Sequence, residues 1–341
     1  MAAYTAVDDS EAFHQTVLYT GSGSGRDLTF GGDTDMQPDI LWFKRRNGTS
    51  NHFLYDSGRG APHELLPNLT NDDSAQTTGM TAFNSDGFTL GDSGDINASG
   101  QTMIAYGWKE GTTSGIDIVD YDGTGSATTV SHSLSAVPHL IITKVYERDG
   151  ENWAVYHHKN TSAPETDFLH LNATDATADD STYWNDTAPT SSVFSVGTVD
   201  ETNASAQDIV AYCFAEKQGF SKFGSYTGNG VSSGGAQTGG PFINLGFRPA
   251  FLMIKEASGT AGQGWMIFDN TRSTFNRVDH ELQANSNAVE TTGSHWVDFY
   301  SNGFNTRTNG AAINRSGSTH IYMAFAEAPF VNSNGVPATA R

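Results

Sequence analysis

The strongest constraint on this chain is a short phrase that it spells three times. Pro38-Asp39-Ile40-Leu41-Trp42-Phe43-Lys44 returns as Pro138-His139-Leu140-Ile141-Ile142-Thr143-Lys144 and as Pro249-Ala250-Phe251-Leu252-Met253-Ile254-Lys255. Each copy is a proline, a β-branched and aromatic run, and a closing lysine. A run this short and this apolar reads as a nearly fully buried strand. Proline is confined to its first position, because it cannot donate to a sheet ladder.

Other columns recur in the same order. Val17 to Gly23, Ile118 to Gly125 and Phe223 to Gly230 are apolar strands running into glycine turns, where positive φ is cheap. Phe53-Leu54-Tyr55-Asp56 matches Trp153-Ala154-Val155-Tyr156-His157 and Trp265-Met266-Ile267-Phe268-Asp269. Met103 to Trp108, Ile209 to Phe214 and Ile321 to Phe325 close each copy. The columns predict an all-β chain of three tandem homologous β-sandwich units, jelly-roll or lectin-like, of about 100 residues each. The units span 13–111, 114–218 and 219–330, with an N-terminal arm (1–12) and a C-terminal tail (331–341). Each is large enough to bury its own core, so three sandwiches in a row is the preferred arrangement; close packing around a pseudo-threefold is left open. Helix is expected to be scarce, with one or two turns at Val278 to Gln283.

Composition agrees. The 341 residues include 37 glycines, and Ser, Thr and Asn are frequent, a mixture that favours strands and tight turns. Lys+Arg is 18 against Asp+Glu 38, a formal net charge of −20, which opposes binding to nucleic-acid backbone or anionic membrane. No apolar stretch approaches a membrane span, and residues 1–11 lack the basic and apolar regions of a secretion signal. Cys213 is the single cysteine and reads as a buried small hydrophobe.

Motifs that could carry chemistry are weak. Gly230-Val231-Ser232-Ser233-Gly234 has the letters of a nucleophile elbow but no strand-turn-helix context, so a loop is preferred. Asp86, Asp92 and Asp95 are the candidate Ca²⁺ ligands, weighed against a solvated acidic loop. His157 and His158, adjacent on a strand, point to opposite faces and cannot chelate together. Asp56-Ser57-Gly58-Arg59 and Asp269-Asn270-Thr271-Arg272 share an Asp-x-x-Arg pattern that reads as a carboxylate–guanidinium pair pinning a turn. Trp184 and Trp296 fall in polar stretches and are the candidate exposed platforms for stacking on sugar. No catalytic residue and no cofactor is assigned.

The phrases "AVDDSEAFHQTVLYTGSG", "DTDMQPDILWFKRR", "AFNSDGFTLG", "STYWNDTAPTSSVFSVG" and "GFRPAFLMIK" resemble a repeat family encoded among virion and tail-fibre genes of tailed bacteriophages of marine bacteria and cyanobacteria. The resemblance covers essentially the whole chain and transfers no catalytic motif. It implies a non-enzymatic virion structural protein on an exterior appendage, a tail fibre or tail-associated adhesin, made in the host cytoplasm without a signal peptide. The implied partners are other virion proteins and a host surface glycan or protein. Homo-oligomerisation, most simply a trimer, is expected from tail architecture. The arm is the candidate attachment segment, removable without loss of fold. The alternatives are a capsid decoration or baseplate/neck protein that only buttresses the particle, and a tail-borne polysaccharide-degrading enzyme.

Overall fold

In the computed structural model, which describes residues 5–232, 239–259, 262–332 and 334–337, each proline phrase lies at the centre of an antiparallel sheet. Four strands follow one order in three sheets. In the first, His14–Thr20 lies beside Thr102–Trp108, then Ile40–Arg45, then His52–Asp56. In the second the order is Ile116–Asp122, Asp208–Phe214, Leu140–Val145 and Ala154–His157. In the third it is Ser221–Thr227, Thr319–Pro329, Phe247–Glu256 and Met266–Asp269. The opening strand therefore pairs with the closing strand, and the phrase takes the closing strand's other edge. The chain is all-β apart from short helical turns such as Ser181–Trp184. Val278–Gln283, expected to be helical, is a strand, because it continues the third sheet beside Met266–Asp269.

Period-two alternation explains why the phrase has no polar face. Ile40 and Trp42 enter one core while Leu41 and Phe43 enter another. Leu140 and Ile142 likewise separate from Ile141. The outer face of the first sheet is covered by a small sheet of Arg26–Leu28, Phe88–Leu90 and Met80–Phe83, and that of the second by Thr128–Ser131 with Val193–Val196. Those outer layers are sandwich-like. The inner faces depart from the expectation of separate cores: Ile40, Trp108, Ile142, Phe214, Phe251 and Phe325 belong to one continuous cluster. Large aromatic residues at the inner positions of all three sheets would be exposed on isolated beads, and burying them against one another removes that apolar area from water. A void of only about 20 Å³ remains where Trp42, Trp108, Trp153, Tyr212 and Met323 converge.

The phrase lysines hold these segments together. Lys44, Lys144 and Lys255 are each at most 1 % exposed. Lys144 donates to the Thr70 carbonyl at 3.2 Å, Lys255 to that of Thr174 at 3.2 Å, and Lys44 to that of Asn287 at 3.3 Å. The same three carbonyls accept the backbone N–H of Gly150, Gly262 and Ser50. The pattern closes on itself: the middle segment donates to the first, the last to the middle, and the first to the last. Burial pushes each lysine down to about 8.

A second set of contacts follows the same cycle. The Trp153 indole donates to the carbonyls of Leu66 and Leu69, and that of Trp265 to the His170 carbonyl. His52 stands in the matching register position, opposite Lys44, and its Nε2 meets the Gln283 carbonyl at 3.0 Å. Three tyrosines, Tyr19, Tyr121 and Tyr226, donate to the carbonyls of Ile96, Thr202 and Ile313 at 2.6, 2.7 and 2.6 Å. The adjoining Asn97, Asn203 and Asn314 are fully buried and bond the glycine turns after each opening strand.

The arm packs onto the body of the fold and does not stand free of it. Thr5, Val7 and Ser10 are buried, Val7 enters the shared core, and Ala6 N–H donates to the Gln218 carbonyl at 2.9 Å. Gly219 is required there, since a Cβ would come within 2.1 Å of Thr5 Oγ1.

Candidate functional site

The residues at the end of each closing run meet those at the start of each phrase at the seams between segments, and this is where the surface opens. Glu110, Glu216 and Glu327 hold one position in the three copies. Asp39, His139 and Ala250 hold a second, and Ser57, His158 and Asn270 a third, by the shared register. At the first seam the Glu110 N–H donates to Asp39 Oδ2 at 2.9 Å and the Ser57 hydroxyl to Asp39 Oδ1 at 3.0 Å. At the second, the Glu216 N–H donates to His139 Nδ1 at 3.1 Å. At the third, alanine replaces the acceptor and Asn270 Nδ2 turns to Glu327 Oε2 at 2.7 Å, with Arg248 on the other oxygen at 2.8 Å.

Two of these seams are clefts. One, of about 260 Å³, lies between the first and last segments and is lined by residues including Glu11, His14, Phe30, Asn270, Thr271 and Glu327. The other, of about 650 Å³, lies between the middle and last segments and includes His139, Glu216, Lys222, Leu245 and Phe330. Burial pushes the Glu216 carboxyl up, and also the Glu110 carboxyl at the first seam.

Among the described residues one trio has metal-ligand spacing. Ligand atoms of His139, His158 and Glu216 lie within 4.8 Å of one another. The hydrogen bonds argue against a cation there. His139 Nδ1 already accepts the Glu216 N–H, so a cation would have to displace either that bond or the proton on Nε2. Burial pushes His139 down to about 4, which keeps its ring neutral, while the charge of Lys159 nearby opposes a cation. The trio reads as a hydrogen-bonded seam in which His158 donates to the Phe223 carbonyl at 2.7 Å.

The residues singled out from sequence fare differently. Trp184 is 2 % exposed and packs edge-on against Tyr156 in the outer core of the middle segment, so it offers no platform. Its helical turn, capped by Asp180, folds the ring inward. Trp296 is half-buried on the strand Thr291–Tyr300, with the Arg277 guanidinium 4.6 Å above its ring. Nearby in sequence, Phe275 is 78 % exposed, an aromatic that sequence reasoning passed over. Asp86, Asp92 and Asp95 do not gather into a cation site among the described residues; Asp86 instead accepts from the Met36 N–H. Cys213 is fully buried and burial pushes its thiol well up, away from reactivity. Ser233 and Gly234 of the serine motif lie outside the described residues.

The Asp-x-x-Arg pattern proves to be more than a turn clamp. Asp56 accepts from Arg59 Nε at 2.7 Å and also from the Tyr212 hydroxyl of the middle segment at 2.6 Å. Asp269 accepts from Arg272 and from the Tyr106 hydroxyl of the first segment at 2.8 Å. The remaining junction has Met323 in the tyrosine register and His157 in the aspartate register, and His157 Nε2 meets the Tyr322 carbonyl at 3.2 Å. Tyrosine, aspartate and arginine are thus replaced together where the middle segment has no Asp-x-x-Arg.

Fold and seams together define a class: an all-β, sandwich-like chain whose segments share one core and whose surface opens at clefts between them. A family model described as Domain of unknown function (DUF7483) matches residues 9–329, and the chain belongs to that family. No curated protein and no solved structure matches it. Among the described residues no helix is long and apolar enough to cross a membrane.

Proposed function

We propose that this chain is a non-enzymatic structural protein of a phage virion, displayed on an exterior appendage as a tail fibre or tail-associated adhesin that contacts the host surface. One observation carries the reading. The conspicuous ionisable residues, Lys44, Lys144, Lys255 and the Asp56–Arg59 and Asp269–Arg272 pairs, are buried at junctions where they bind the chain to itself. Interlocking of that kind serves rigidity, and it leaves the loops and two clefts as the parts presented to a partner. The resemblance of its phrases to a virion and tail-fibre repeat family supports the same reading. A chain with three similar sheets around one core also suits a partner of threefold symmetry, whether or not it self-associates.

The test is binding of the purified protein to host cells and to a glycan array, alongside labelling of the protein on intact particles. Host binding with label on the tail is the expected result. Tight binding to capsid or baseplate proteins without host binding would favour the buttress alternative. Release of sugar from host polysaccharide would favour the degrading enzyme.

A further inference from the structure

We infer that the cleft between the first and last segments binds a non-anionic saccharide, a neutral or amino sugar, through fixed hydrogen-bond acceptors on both walls. The inference rests on the adhesin reading and names where its ligand sits.

His14, which lines this cleft, is 3 % exposed and stacks on Trp108 with ring centroids 5.0 Å apart. Its Nδ1 bonds the Gly107 carbonyl at 2.9 Å, so the ring proton resides on Nδ1 and Nε2 is a bare acceptor. That Nε2 is buried with no partner. A buried acceptor left unmatched costs about 1–3 kcal/mol, so a small shift that opened Nε2 to the cleft would let a ligand hydroxyl pair with it. The carboxylates beside it are held in place. Glu327 takes Asn270 Nδ2 at 2.7 Å and Arg248 at 2.8 Å, and Glu11 Oε2 takes the Asp33 N–H at 2.7 Å. Carboxylates have further lone pairs to offer, so the walls present acceptors, and sugar hydroxyls are donors. Phe30, 7 % exposed, gives the lining a small apolar contribution. The volume, about 260 Å³, suits a single ring. Arg248 compensates Glu327, and the charge left on Glu11 in a chain of net charge −20 would disfavour an anionic sugar. The matching cleft at the other seam is less suited. Lys222 lies in it, His139 Nδ1 already accepts the Glu216 N–H, and its rim is apolar at Leu245 and Phe330.

The experiment is saturation-transfer NMR on the intact chain with methyl glycosides of neutral hexoses, with N-acetylhexosamines, and with sialic acid as the anionic member. At least one neutral or amino sugar should receive saturation and sialic acid should not. Thr271→Trp, which fills the cleft from its wall, should abolish transfer. Asn270→Ala, which frees Glu327 to move, should weaken binding about tenfold. Glu216→Gln in the other cleft should leave it unchanged. Absence of transfer from every neutral and amino sugar, preference for sialic acid, or binding that survives Thr271→Trp would each overturn the inference. Host-cell binding that Thr271→Trp does not alter would leave the adhesin reading standing and remove only this site. Sugar binding without host-cell binding would do the reverse.

Discussion

Tyr212 and Asp56, 156 positions apart, meet in a hydrogen bond of 2.6 Å in which the phenol donates to the carboxylate, both groups out of reach of water. The bond joins the middle segment to the first, and Tyr106 with Asp269 does the same between the first and the last. A buried bond to a charged acceptor contributes about 1.5–3 kcal/mol. Tyr212→Phe should therefore lower the free energy of unfolding by about 2 kcal/mol in urea titrations. Tyr146→Phe, which loses only an exposed bond to Asp120, should change it by less than about 0.5 kcal/mol. Equal effects of the two would show that the junction is no stronger than the surface.

Lys144→Met tests the lysine junction. It removes the donor to the carbonyls of Thr70, Val145 and Glu151, whose oxygens then lose a buried partner. The expected cost is about 1–3 kcal/mol, read as a lower midpoint of denaturation. A neutral or stabilising outcome would mean that desolvating the ammonium costs as much as its bonds return.

Asn203→Ala should be among the costlier single changes. The side chain accepts from the Thr124 N–H at 2.7 Å and donates to the carbonyls of Gly197 at 2.6 Å and Ser126 at 2.7 Å, so three backbone groups lose a partner. A loss of about 3 kcal/mol is expected, against about 0.5 kcal/mol for an exposed asparagine such as Asn334. Comparable losses for both would contradict the assignment.

Acid should loosen the fold before carboxylates titrate. Burial pushes His14 down to about 4 and His52 and His157 to about 3. Below pH 6.5 the unfolded chain takes up these protons and the native chain does not, so stability is complete above 6.5 and falls as the pH drops. Each histidine contributes a slope approaching about 1.4 kcal/mol per pH unit. Glu64, Glu110 and Glu216, pushed up by burial, act in the opposite direction at lower pH. Urea midpoints at pH 7.5, 6.5 and 5.5 should fall across the last interval; a flat profile would refute the burial of neutral histidines.

Removing residues 1–9 takes Val7 out of the shared core and Thr5 away from the Gln218 carbonyl. Thermal unfolding of the truncated chain should begin several degrees lower. An unchanged transition would return the arm to the role of a free attachment segment.

Strand content was legible because the phrase and its partner runs alternate or saturate with β-branched and aromatic residues, whose burial leaves little choice of conformation. Val278–Gln283 misled, since Val-Asp-His-Glu-Leu-Gln carries helix-compatible letters and only pairing with Met266–Asp269 makes it a strand. The shared core was not legible, because Trp42 or Phe251 in isolation looks the same whether it faces its own sandwich or a neighbouring segment. Asp56 and Arg59 announced a local pair, but the tyrosine that completes it comes from a distant strand. For Trp184, polar neighbours suggested exposure, whereas the turn capped by Asp180 decides where the ring goes. The clefts have a faint signature in the shared endings Phe214-Ala215-Glu216 and Phe325-Ala326-Glu327, each of which puts a glutamate on a cleft wall.

The seam positions Asp39, His139 and Ala250 have a consequence for how such a chain can change. Three identical subunits on a symmetry axis would carry three identical clefts, and any mutation would alter all of them together. Because one polypeptide supplies all three sheets, each seam is encoded separately and can drift toward its own ligand while the others keep theirs.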